Sequence, residues 1–190
     1  MFVQIATLVV DVASSFVVFL LLARFHFQWL RVPFRNPIGE LIVAGTNWLV
    51  RPARRVVPSL AGLDLATLLA ALVVQALAVY LLLALAGGGL GTEPGHVIVV
   101  LLVGAAFDLV RYSLYLLVFA VVVLAVMSWV NPHTPAQFMF DAITRPFLRP
   151  IRRVVPPLGN IDLSPLVLLV LLQIALIVLE HLRAAAAGAL

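Results

Sequence analysis

Residues Arg51 to Gln75 recur as Arg149 to Gln173 at a constant offset of 98 without a gap, and 12 of the 25 aligned positions are identical. The shared positions include Arg51/Arg149, Pro52/Pro150, Arg54/Arg152, Arg55/Arg153, Asp64/Asp162 and Gln75/Gln173. Apolar bias cannot put paired Arg, Pro, Asp and Gln in register. Self-similarity of this kind marks one structural unit used twice, so any fold for this chain has to build the unit and then repeat it.

The unit is built for lipid. Of the 190 residues 64% are hydrophobic and 11% charged, and the mean hydropathy is +1.19, far from the balance of soluble domains. Four apolar stretches are long enough to cross about 30 Å of hydrocarbon at about 1.5 Å per helical residue. They fall at roughly 3–23, 65–86, within 97–130 and 163–179. Inside a bilayer the backbone must satisfy its own hydrogen bonds, which predicts an all-α membrane protein with four transmembrane helices. The 97–130 run exceeds one upright span; tilt, overhang or a break near Gly104 would each accommodate it. The apolar run that follows Met1 reads as a first span and not as a cleaved signal peptide. Cys is absent, which excludes disulfides, thiolate metal sites and cysteine catalysis.

Charge placement predicts the orientation. Arg24, Arg31, Arg35, Arg51, Arg54 and Arg55 lie between the first two stretches, and Arg145, Arg149, Arg152 and Arg153 between the last two. The Gly-rich connection at 87–96 carries only Glu93 as a charge. The positive-inside rule puts both Arg-rich loops in the cytoplasm and both termini outside, with Arg183 running against the pattern. The expected organisation is two parallel repeats, 1–86 and 97–182, related by an axis along the membrane normal.

Each Arg-rich loop carries structural signals. Asn36-Pro37 and Thr134-Pro135 stand at the same offset of 98, and each sets a capping side chain before a proline suited to the first helical position. The mixed polarity that follows predicts interfacial amphipathic helices over about 37–50 and 135–148. Pro52 and Pro150 are expected to stop them, Pro58 and Pro156-Pro157 to turn the chain, and Asp64 and Asp162 to cap the next spans. Arg51, Arg54, Arg55, Arg149, Arg152 and Arg153 then form a basic collar. One reading makes it a topology determinant and lipid anchor; the other makes it a docking surface for an anionic headgroup or an acidic partner.

The pattern Arg-Pro-x-Arg-Arg-Val-Val-Pro, a small loop and Asp-Leu, at Arg51 to Leu65 and again at Arg149 to Leu163, resembles the YggT family, also called YlmG. The resemblance runs from the first span to Gln173, and bacterial members are similar in length and in carrying the unit twice. It implies a multi-pass protein of a bacterial inner membrane. It also implies associations with cytochrome-complex assembly in plastid relatives, with division and nucleoid distribution, and with osmotic homeostasis. It supplies no catalytic residue and no cofactor.

Polar residues inside the apolar stretches remain to be assigned. Asp11 and Asp108 stand at nearly corresponding places, offset by 97, and Arg111 follows Asp108 by one turn. A carboxylate within a span is a functional hypothesis by default. Asp11, Asp108 and Arg111 therefore read either as a proton or cation relay or as interhelical pairs, unless the third span starts only near Tyr112. Gln75 and Gln173 are expected at equivalent depths, bonding to each other across the pseudo-twofold interface or lining a polar path. His26, His96, His133 and His181 show no metal or haem spacing, Gly87 to Gly89 lacks the context of a phosphate loop, and Trp29, Trp48 and Trp129 mark membrane boundaries. The sequence thus points to a scaffold or assembly factor without catalytic, metal or nucleic-acid sites, which contacts lipid, a membrane or cytoplasmic protein, or a second copy of itself. A small ion or proton transporter is the competing reading.

Overall fold

The structure, a computed structural model, describes residues 1–58, 62–87, 94–130, 134–155 and 162–189. The Gly-rich connection at 88–93, the Pro156-Pro157 turn and His133 lie outside the described residues. Six helices follow one another: α1 (Phe2–Trp29), α2 (Pro37–Val56), α3 (Leu65–Leu85), α4 (Pro94–Val130), α5 (Pro135–Val154) and α6 (Ser164–Ala189). Among the described residues there is no strand. α1, α3, α4 and α6 are long and apolar enough to cross a membrane, so the chain is an all-α, multi-pass membrane protein. α2 and α5 are amphipathic and each joins two of the spans.

Packing follows side-chain size. α3 offers Ala66, Ala70, Ala71 and Ala78, all buried, and these small residues let α1 and α4 approach closely. Val18, Leu21 and Leu22 of α1 fill the space beside Ala70, Ala71 and Leu109. A second apolar cluster joins the later halves of α1 and α4 to α2 and α5 through Phe27, Ile42, Val121, Met139 and Leu148. The hydroxyls of Ser15 and Tyr112 meet at 3.1 Å and tie α1 to α4.

The turn from α1 into α2 is unusually tight. Val32 N–H donates to Phe27 O at 2.8 Å and Arg31 N–H to Gln28 O at 3.2 Å, with Arg31 in the left-handed region at φ 54°. This is a Schellman closure carrying arginine where glycine is the usual residue. A Cβ on Gly39 would sit 2.4 Å from Phe34 O, so the first turn of α2 needs a glycine there.

Several sequence expectations give way. α2 runs through Pro52 to Val56 and α5 through Pro146 and Pro150 to Val154, so these prolines do not stop their helices. Each ring is exposed, and for Pro52 and Pro150 so is the residue one turn earlier, Trp48 or Pro146, whose carbonyl is left without a donor. Polar surroundings can satisfy it, which reduces the usual cost of an internal proline. α4 is continuous through Gly104, which excludes the break. α1 extends beyond Ala23 to Trp29, which places Arg24 on a helix and not in a loop.

Candidate functional site

The two basic hairpins are assembled from matching parts. Asn36 Oδ1 accepts from Gly39 N–H at 2.8 Å and Thr134 Oγ1 from Gln137 N–H at 3.2 Å, which starts α2 and α5. At the other ends Arg54 donates to Asp64 Oδ2 at 2.5 Å, and Arg152 Nε to Asp162 Oδ2 at 2.9 Å. Asp64 also accepts from Thr67 N–H at 3.3 Å and Thr67 Oγ1 at 2.6 Å, while Asp162 Oδ1 accepts from Ser164 N–H at 2.9 Å. Burial pushes both carboxyls up, but the donors outweigh it and hold both below the usual carboxylate range: Arg54 and Thr67 for Asp64, Ser164 and Arg152 for Asp162.

This leaves a division of labour among the arginines. Arg54 and Arg152 fasten each amphipathic helix to the mouth of the next span. Arg51 with Arg55, and Arg149 with Arg153, are exposed, one turn apart, and have no carboxylate partner among the described residues. Val56 and Val154 beside them are 82% and 80% exposed, and Trp48 and Phe138 project from the same helices.

The other polar cluster lies inside the membrane-spanning bundle. Asp108 of α4 is buried, and its Oδ2 accepts from Gln75 Nε2 at 2.9 Å. Oδ1 takes Arg111 at 2.9 Å and Arg183 of α6 at 2.8 Å, and Glu180 stands 3.7 Å from Arg111. Two arginines and two carboxylates thus cancel in charge and join α3, α4 and α6. Gln75 is the middle residue of α3, so the cluster sits at mid-span. Gln75 Oε1 and Arg111 Nε are buried without a partner.

Asp11 and Gln173 stay outside this cluster. Both are exposed, on α1 and α6, and neither side chain finds a partner among the described residues. The expected bond between Gln75 and Gln173 does not form, because Gln75 donates to Asp108 instead. The relay expected from Asp11, Asp108 and Arg111 is reduced to the last two, with Arg183 added.

Two arginines were missed by sequence reasoning. Arg183 belongs to a Glu180/Arg183 pair with the same i, i+3 spacing as Asp108/Arg111, and that spacing was the available signal. Arg24 is buried and donates to Thr46 Oγ1 at 2.8 Å and Asn47 Oδ1 at 3.0 Å, which locks α1 to α2. Only the true length of α1 reveals it.

An apolar cavity of about 310 Å³ opens where α1, α2, α4 and α5 meet, with Phe27, Ile42, Leu117 and Phe140 among its walls. Among the described residues no group of metal-ligating side chains converges.

The CCB3/YggT family model matches this chain over residues 3–85 and 103–183. The chain belongs to the CCB3/YggT family. Its relatives in this family include an uncharacterized protein of Pseudomonas aeruginosa, 33% identical over 94% of this chain and 90% of that protein. The uncharacterized protein YggT of Escherichia coli K12 is 30% identical over 81% of this chain and 78% of its own length. A Vibrio alginolyticus relative is 32% identical over 83% of this chain and 84% of its own length. No solved structure matches significantly.

Proposed function

We propose that this YggT-family protein is a membrane-embedded scaffold, not an enzyme, whose two Arg/Pro hairpins grip anionic lipid headgroups and thereby hold an assembly partner at the membrane surface. The observation that carries this reading is the division among the hairpin arginines. One in each hairpin is spent on the Asp64 or Asp162 cap, which leaves Arg51 and Arg55, and Arg149 and Arg153, as exposed pairs on a fixed helical turn. Arginine pairs of this kind suit phosphate oxygens, which accept several charge-assisted hydrogen bonds at once. The neighbouring Val56, Val154, Trp48 and Phe138 would enter the acyl boundary while the guanidinium groups stay at headgroup depth.

The test is native mass spectrometry of protein released from lipid nanodiscs containing equal phosphatidylglycerol and phosphatidylethanolamine. Each arginine near an anionic surface is worth about 1 kcal/mol, so Gln at Arg51, Arg55, Arg149 and Arg153 together should remove most retained phosphatidylglycerol. The same variant should stay inserted and lose the proteins that copurify with the native chain. Arg145→Gln, which removes an arginine already paired with Asp141, should retain both. Unchanged lipid and protein retention in the fourfold variant would reject the reading.

A further inference from the structure

The interface between α3 and α4 is used once within the chain, and its two halves are each present a second time without a partner. On α3 the covered face carries Ala71, Gln75 and Ala78, and on α4 it carries Ala105 and Asp108, all buried. Its centre is the Gln75 to Asp108 hydrogen bond. The offset of 98 maps the α3 face onto Leu169, Gln173 and Leu176 of α6. The offset of 97 maps the α4 face onto Leu8 and Asp11 of α1. There the burial is lost: Gln173, Leu8 and Asp11 are exposed, and Leu169 and Leu176 are half-buried.

A closed arrangement of two repeats would pack α6 on α1 as α3 packs on α4. α6 instead packs on α4 and α5 and makes no comparable contact with α1. Each chain therefore ends with one open half-interface on α6 and the complementary half on α1. An amide and a carboxylate facing hydrocarbon are costly, and each is the chemical partner of the other. The levels agree as well. Ser15 bonds Tyr112, and Asp11 and Asp108 lie one turn N-terminal to those residues, so the two carboxylates share a depth.

We propose that a second copy of this chain fills the vacancy: α6 of one copy packs against α1 of the next, and Gln173 donates to Asp11 across the contact as Gln75 donates to Asp108 within the chain. The contact is heterologous, with different surfaces meeting. Two chains suffice to close a ring of four units if both ends engage. Asp11 has no counterpart of Arg111 or Arg183, because Ser14 and Leu85 stand at those places, so the neighbouring chain's amide is the donor the fold supplies.

The chain lacks cysteine, which makes the test direct. Leu8→Cys and Leu176→Cys lie one turn outward from Asp11 and Gln173 and correspond to the buried Ala105 and Ala78 of the internal interface. Two differently tagged copies, one with each substitution, are coexpressed, reconstituted into liposomes at high dilution and oxidised. The mixed pair should form a disulfide-linked dimer. A mixture of two Leu176→Cys copies should not, and adding Asp11→Leu to the Leu8→Cys copy should reduce the mixed product several-fold. A dominant Leu176→Cys self-link would show α6 meeting α6 and overturn the heterologous contact. Absence of any link, with monomers by native mass spectrometry of the unsubstituted protein, would overturn association itself.

Discussion

Asp64 and Asp162 show how one motif acquires two energies. Each accepts from a backbone amide at the start of a span and from an arginine ten residues earlier. The Asp64 side chain is 7% exposed and that of Asp162 36%, so water competes far more at the second site. Removing a cap costs about 1 kcal/mol, and a hydrogen bond to a charged group about 1.5–3 kcal/mol. Asp64→Ala should therefore lose about 2–3 kcal/mol and Asp162→Ala about 1 kcal/mol, measured by unfolding in bicelles. Both carboxyls are held low in the folded protein. Their contribution is complete above the unfolded value of about 4 and is lost as pH falls through the folded one. Hydrogen exchange across 52–58 should accelerate below about pH 4, and Asp64→Asn should flatten that dependence. Interactions of this kind are legible in sequence because the geometry of one helical turn sets them: Asn36 to Gly39, and Asp64 to Thr67, are each three residues apart. Arg24 was not legible, because its partners Thr46 and Asn47 come within reach only after α2 folds back on α1.

Between elements, legibility fails at α6. Its sequence shows an apolar run with one glutamine and a late acid and arginine, and nothing in it says that Arg183 reaches Asp108, 75 residues away. That bond depends on how α6 packs against α4. The consequence for stability is asymmetric. Asp108→Leu leaves Arg111 and Arg183 without their shared carboxylate, and breaking a buried pair from one side costs about 3–5 kcal/mol. Arg183→Leu leaves Asp108 with Arg111 and Gln75, so the loss should be clearly smaller. It should instead be local, with faster hydrogen exchange over the last three turns of α6 and little change in α3. Equal global losses in the two variants would mean that Arg183 is as central as the aspartate. The prolines failed in the opposite sense. Pro52 and Pro150 carry a strong local stop signal, yet they sit on exposed faces, and the helix end beyond each is held from outside by Arg54 to Asp64 and Arg152 to Asp162.

At the scale of the molecule, the length of α4 decides where the hairpins stand. Its 37 residues make a rod of about 55 Å, against about 30 Å of hydrocarbon. Asp108 bonds the midpoint of α3, so only about 15 Å of bilayer remains on either side of it. The 22 residues from Asp108 to Val130 reach about 33 Å, and most of the surplus emerges on the side of α2 and α5. The projecting ends of α1 and α4 form the apolar platform against which the two amphipathic helices pack. The four-span pattern was legible because hydropathy is additive along a helix. The platform was not, because it exists only once the spans are aligned in depth. One consequence concerns sidedness. Both hairpins belong to a single platform, so they should face the same compartment, which the positive-inside rule predicts to be the cytoplasm. Glu40→Cys on α2 and Arg145→Cys on α5, both at exposed polar positions, should therefore react with a membrane-impermeant maleimide only in inverted vesicles. Phe2→Cys, at the far end of α1 and 83% exposed, should react only in right-side-out vesicles. Labelling of Glu40→Cys and Arg145→Cys from opposite sides would break the platform and, with it, the joint grip of the two hairpins on one leaflet.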